Sequence, residues 1–214
     1  MRPAALLLAL LLSGGCQNDG DPPASGPASP ATPAAAPVSD TTAPSPPLVA
    51  AARGQIGVTV RYDPAYQVLD YPGGDVPPDR GVCTDVIVRA LRSQGIDLQA
   101  RIHEDMRRHF GDYPGLWGLS RPDRNIDHRR VPNQMRWFER QGWQRAISTD
   151  PTDYAAGDIV AWKLNGNGLL HVGIVSDHRL GDGTPLILHN IARGTQEENL
   201  LFEHTIIGHY RLPG

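Results

Sequence analysis

The residues of this 214-residue chain whose types and spacing could do chemistry are one cysteine, two histidines and a short charged run. Cys83 lies in "YPGGDVPPDRGVCTDVIVRALRSQG", residues 71–95, where a turn-rich segment gives way to a helical one. A cysteine opening a helix meets unpaired backbone N–H groups and the positive end of the helix dipole. Both favour a thiolate, and the same N–H groups can hold an oxyanion. The competing reading is a small buried core residue. A thiolate nucleophile also needs a base and a group that orients the base. His171 starts the run "HVGIVSD" directly after the glycine-rich "LNGNGLL", and His189 ends the apolar run of "PLILHNI". On neighbouring antiparallel strands the two rings could lie side by side, which strand parity permits and register must decide. Read singly, each is a satisfied structural histidine. A metal set of His171, His178 and His189 lacks any recognised ligand spacing.

The charged run is "NIDHRRVPN", with Asp127, His128, Arg129 and Arg130 just ahead of a helix. It reads either as a solvated turn or as a clamp, because arginine binds carboxylates in bidentate fashion. Asp85 has two readings as well. In the first turn of the Cys83 helix it favours the dipole, or it orders the segment around the cysteine.

These side chains must be positioned by the elements around them. "LVAAARGQIG" is a helix candidate ending at Gly57. "VIVRALRSQG" places Val86, Ile87, Ala90 and Leu91 on one buried face, with Gly95 as its stop. "LQARIHEDMRRHF" and "VPNQMRWFERQG" are two more helices, the last with Pro132 near its start. After Gly157 the texture changes to four β-rich runs, "DIVAWKL", "HVGIVSD", "PLILHNI" and "IIGHYRL". The breaks "NGNG", "HRLGDGT" and "ARGTQEEN" read as turns or loops. Helices followed by a strand meander predict an α+β domain with an antiparallel sheet.

Bulk properties narrow the class. Hydrophobic residues at 40 % are enough for a core, and a net charge of -3 gives no field for nucleic acid. Residues 17–47 hold nine prolines and no aromatic residue, a composition that cannot bury enough surface to order itself and reads as a tether. The start, "MRPAALLLALLLSGGCQ", has one arginine, an apolar run too short to span a bilayer, and small residues. A cysteine after Ser13-Gly14-Gly15 resembles the bacterial lipoprotein signal, although Ser13 stands where that signal usually has leucine. The resemblance implies that residues 1–16 end at a lipidated Cys16, with a membrane anchor in the envelope. Gln17 resembles the residue that sends such proteins to the outer membrane from the periplasm. Lipidation would leave Cys83 as the single free thiol in an oxidising compartment.

Tyr71, the pair Gly73-Gly74, Pro77 and Cys83 form the first of four blocks. "AAGDIVAW", "HVGIVSD" and "LILHN" follow in order. Together they resemble the NlpC-type cell-wall peptidases, papain-like cysteine hydrolases of bacterial envelopes. The resemblance implies a papain-like fold over 48–214, with N-terminal helices packed on a small antiparallel sheet. It implies Cys83 as nucleophile, His171 as base and His189 as the group orienting it. Tyr71 then lies near the oxyanion, or serves as a half-buried loop aromatic, and Asn190 falls among the substrate-side residues with Asp85 and the 127–130 run. No metal or organic cofactor is implied. The implied substrate is an amide in the peptide part of peptidoglycan, whose stem peptides carry free carboxylates. The alternatives are acyl transfer or hydrolysis on another envelope amide or ester, and an inactive wall-binding lipoprotein. This chain departs from the family in two places. It has Val82-Cys83-Thr84-Asp85 where Asp-Cys-Ser is usual, and 88 positions separate Cys83 from His171, the surplus being an insertion at about 96–150. That combination resembles a branch of the superfamily without a settled substrate.

Overall fold

The structure, a computed structural model, describes residues 44–213. The signal segment, Cys16 and all but the last residues of the tether lie outside the described residues.

The order is helical first and β later, as the texture change at Gly157 predicts. Helix α1 (Pro47–Arg53) has proline at its first position, where the missing N–H costs nothing. It ends four residues before Gly57, which takes a left-handed turn (φ 77°) after the helix instead of closing it. Two short paired segments, β1 (Arg61–Tyr62) and β2 (Arg80–Gly81), lead into α2 (Cys83–Arg92). Eight of the ten α2 residues are buried, so this helix is the centre of the core. Helix α3 (Leu98–His109) is capped by Asp97, whose carboxylate accepts from Gln99 N–H at 3.0 Å. A 3-10 turn over Asp127–Arg129 precedes α4 (Val131–Arg140). The 96–150 region therefore supplies two core helices and a buried turn.

Five strands follow: β3 (Ile159–Lys163), β4 (Leu170–Arg179), β5 (Pro185–Asn190), β6 (Thr195–Glu198) and β7 (Thr205–Tyr210). They form one antiparallel sheet in the order β6-β5-β4-β3-β7. Strand β6 corrects the sequence reading, which made "ARGTQEEN" a loop. Its residues Gln196, Glu197 and Glu198 are polar and partly exposed, so no apolar alternation marks it.

The alternation of β3, β4 and β5 buries two faces. Ile159, Ala161, Val172, Ile174 and Leu188 pack with Val86, Ile87, Leu91 and the other helices. Val160, Trp162, Val175 and Ile187 pack on the opposite side with Tyr154 and Leu201. Asp158, buried just before β3, binds Arg211 at 2.6 and 2.7 Å and His209 at 2.8 Å, tying the start of β3 to β7 and the residue after it.

Candidate active site

The site forms where the N-terminus of α2 meets the start of β4. Val82 is the extended residue before the helix, and its N–H donates to Asp85 Oδ2 at 2.7 Å. The carboxylate thus takes one of the first-turn donors and leaves those of Cys83 and Thr84 free. Recorded pairing of β4 with β5 includes Ile174/Leu188 and Val175/Ile187 and stops short of Val172. The N–H of Val172, and to a lesser degree those of Thr84 and of Cys83 itself, favour the thiolate of Cys83. The residue before Val172 is His171.

His171 and His189 are brought together. Nε2 of His171 lies 3.0 Å from Nδ1 of His189, with ring centroids 5.0 Å apart in an edge-to-face pair. The sheet explains this contact. The β4–β5 register sets the side chain of His189 against Gly173, one same-face step along β4 from His171. A Cβ on Gly173 would lie 2.6 Å from Ile187 Cγ2 and 3.1 Å from His189 Cβ, so glycine leaves the room for one ring to lean across to the other. Trp162, opposite His171 on β3, covers its other side at 5.9 Å between ring centroids. Nδ1 is the ring nitrogen of His171 that this contact leaves unused.

Electrostatics correct one expectation. Burial pushes the Cys83 thiol up to about 12, the Asp85 carboxylate adds to the rise, and the Val172, Thr84 and Cys83 N–H groups only partly oppose it. Burial, then the neighbouring His189, pushes His171 down to about 3. Desolvation outweighs the helix dipole, so the resting pair is a neutral thiol and a neutral imidazole.

The remaining predicted residues divide. Asp85 is a structural anchor: its carboxylate receives Arg129 Nε and Nη2, each at 2.9 Å, in a buried fork. Arg129 also donates to the carbonyls of Ala65 and Asp63, at 3.2 Å each. The "DHR" run is therefore not a solvated turn, because Asp127, His128 and Arg129 are all buried. Thr84 Oγ1 donates to Arg129 O at 2.9 Å, and Gln134 bridges Thr84 O and His128 O. This segment props up the first turn of α2. Asp127 accepts from Asp123 N–H and from Arg130, and burial raises its pKa. His128 is pushed down to about 4 by burial, then by Arg129. Arg130 alone of the four reaches a cleft wall without being buried, with its guanidinium 4.0 Å over the Trp117 ring.

Tyr71 and Asn190 are not brought to the cleft. Tyr71 stacks edge-on against His103 and lies under Arg124, because Gly73 and Gly74 turn its loop toward α3. Gly74 N–H donates to Gln99 at 2.9 Å, and a Cβ there would strike Asp70 O at 2.1 Å. Asn190 has both ends occupied: its amide donates to Gly81 O at 3.0 Å and its oxygen accepts from Gly194 N–H at 3.1 Å. It holds β5 to the residue two before Cys83. The three-histidine set is not assembled either. His178 is at the far end of β4, 3.1 Å from Glu197. Asp177, His178 and Glu197 do converge, but Arg53 stands among them, 2.5 Å from Asp177 and 2.8 Å from Glu197.

Two residues went unnoticed in the sequence. Tyr62, on the two-residue β1, lines the Cys83 cleft, and burial, then Cys83 and Asp85, raises its hydroxyl to about 12. It is a neutral donor in the cleft that Cys83 lines, and a strand so short leaves no pattern to find it by. Glu198 lies 3.2 Å from His189 Nε2.

The cleft holds about 430 Å³. Cys83, Val82 and Tyr62 form one wall, Leu116 and Trp117 of the 96–150 region another, and Leu169 and Leu170 a third. Among the described residues, its charged lining groups are Arg129 and Arg130.

Residues 49–212 match a family model described as a domain of unknown function (DUF1287). The chain belongs to that family. It is similar to the "Uncharacterized protein YijF" of Escherichia coli (strain K12), with 60 % identity over 160 residues, covering 75 % of this chain and 78 % of the relative. No solved structure matches. The DUF1287 match spans α1 to β7 and so includes Cys83, His171 and His189.

Proposed function

We propose that this chain is a cysteine hydrolase of the bacterial envelope, of NlpC-like papain type, which cleaves an amide in the peptide part of peptidoglycan. The observation that carries the reading is a cysteine at the head of a buried helix packed on the strand whose first residues carry a paired histidine. Cys83 is the first residue of α2, and His171, the residue before Val172 on β4, is hydrogen-bonded on Nε2 to His189.

Cys83 Sγ attacks the carbonyl carbon as its proton passes to His171 Nδ1. The transfer accompanies attack, since the resting pair is neutral. The backbone N–H of Cys83, with Tyr62 in place of Tyr71 as a second donor, faces the oxyanion. His171 then protonates the leaving amine, giving a thioester. Water, deprotonated by His171, hydrolyses that thioester and frees the thiol. A lipid anchor at Cys16 and an outer-membrane position fit an insoluble wall substrate and belong to the same proposal.

One observation favours a second reading. The walls of the cleft are largely apolar, through Leu116, Trp117, Leu169 and Leu170. An apolar acyl group on another envelope amide or ester would fill such a space, with the same thioester passed to water or to a second acceptor.

The test incubates purified sacculi with the protein and with Cys83→Ala and reads released fragments by mass spectrometry. Peptide fragments that require Cys83 support the peptidase and identify the bond. An acyl adduct on Cys83 from envelope lipid extracts, with sacculi untouched, supports the second reading. Equal release by the protein and by Cys83→Ala would sink both.

A further inference from the structure

We infer that Glu198 is a positioning residue that locks the tautomers of both histidines, extending the pair to a three-member line His171–His189–Glu198. The inference rests on the proposed cysteine chemistry for its consequence, but its structural core can be read without activity.

The geometry runs diagonally across three strands. His171 is on β4, His189 on β5 and Glu198 on β6, the strand that carries no apolar pattern. His189 pairs with Gln196 and Ile187 with Glu198, so Glu198 is on the His189 face, one same-face step along β6. Nε2 of His189 is buried, has no aligned partner, and has Oε2 of Glu198 at 3.2 Å. Contact distance and misalignment disagree about a finished hydrogen bond. The distance is the more telling, because the carboxylate is 29 % exposed and can swing into line, while the ring is fully buried. Arg193 holds the other oxygen, Oε1, from the solvent side.

Proton bookkeeping then fixes every position. To take a proton from Cys83, Nδ1 of His171 must be bare, so its proton sits on Nε2. That N–H must donate to Nδ1 of His189, which must also be bare. The His189 proton therefore sits on Nε2, the atom that faces Glu198. An acceptor at that place favours this arrangement. With none there, His189 is free to carry its proton on Nδ1 and donate it to His171 Nε2, which leaves His171 protonated on Nδ1 and unable to act as base. The other titratable groups near the pair are Arg193 and His204, and neither offers a carboxylate to Nε2.

The experiment compares the full chain, Glu198→Ala and Glu198→Gln by long-range ¹H–¹⁵N NMR of the histidine rings at pH 7, with the Cys83-dependent reaction measured in parallel. The expected result is the Nε2–H tautomer for both rings in the unmodified chain, mixed tautomers in Glu198→Ala, and the original pattern in Glu198→Gln, whose side-chain oxygen still accepts. In the reaction, kcat falls roughly tenfold to a hundredfold in Glu198→Ala with KM little changed, and Glu198→Gln restores most of it. Unchanged ring tautomers in a folded Glu198→Ala would overturn the inference, whatever the activity. Shifted tautomers with no Cys83-dependent turnover in any variant would uphold the tautomer lock and count only against the proposed reaction.

Discussion

Nε2 of His171 lies 3.0 Å from Nδ1 of His189, and Gly173 lies on the sheet face between the two side chains. The contact exists because the residue on the direct path carries no side chain. It also occupies Nε2 of His171 and leaves Nδ1 for the role in the proposed reaction.

Gly173→Ala tests that dependence. The new Cβ would meet Ile187 Cγ2 at 2.6 Å and His189 Cβ at 3.1 Å, and Ile187 is fully buried with nowhere to retreat. Overpacking of this kind costs about 1–3 kcal/mol. The strands must part, which moves His189 off His171. Urea unfolding should give a loss in that range, and Cys83-dependent turnover should drop by more than the folded fraction alone explains. Native stability with native turnover would show that the glycine does not set the pair.

The neutral resting pair has a direct chemical readout. With its thiol pushed up to about 12, Cys83 should alkylate slowly at pH 7. Iodoacetamide modification, followed by mass of the Cys83 peptide, should run at least about tenfold below a free cysteine of ordinary pKa near 8.5. The rate should still be rising above pH 9. A fast plateau from about pH 5 to 8 is the mark of a thiolate–imidazolium pair, and its appearance would refute the neutral pair.

How much of this was legible beforehand depends on what each residue needs. The His171–His189 contact and the place of Cys83 at a helix start were readable because strand and helix periodicity leave marks in a single chain. The helices α2, α3 and α4 were readable through their apolar spacing. Three things were not. Tyr62 reaches the cleft from a two-residue strand, while Tyr71 matched the right spacing yet turns toward His103. Glu198 depends on register across β5 and β6, and a polar edge strand has no pattern to reveal it. The "DHRR" run reads as charge, and charge reads as surface. Its burial rests on a partner 44 positions away, the Asp85–Arg129 fork, which local spacing cannot show.

The buried histidines predict how stability depends on pH. His128 is pushed down to about 4, by burial and then by Arg129, and His171 to about 3, by burial and then by His189. His189 is also lowered, chiefly by burial. In the unfolded chain each titrates near 6.5, so between about pH 6.5 and pH 4 the unfolded state binds protons that the native state refuses. Stability must then fall as pH falls through that window, and it is fully present above it. Each histidine contributes up to about 1.4 kcal/mol per pH unit in the steep part, and on the order of 1–2 kcal/mol between pH 7 and pH 5. Asp127, raised by its own burial, works in the opposite direction, but mainly lower in the carboxylate range. Holding the comparison above pH 5 keeps the carboxylates largely out of it. Urea midpoints taken at pH 7, 6 and 5 should fall steadily, and His128→Gln should flatten the slope by about one histidine's share while Cys83 remains slow to alkylate. A midpoint that holds constant from pH 7 to pH 5 would mean that these rings take up protons in the folded chain, and the neutral His171 that the proposed reaction needs would fail with them.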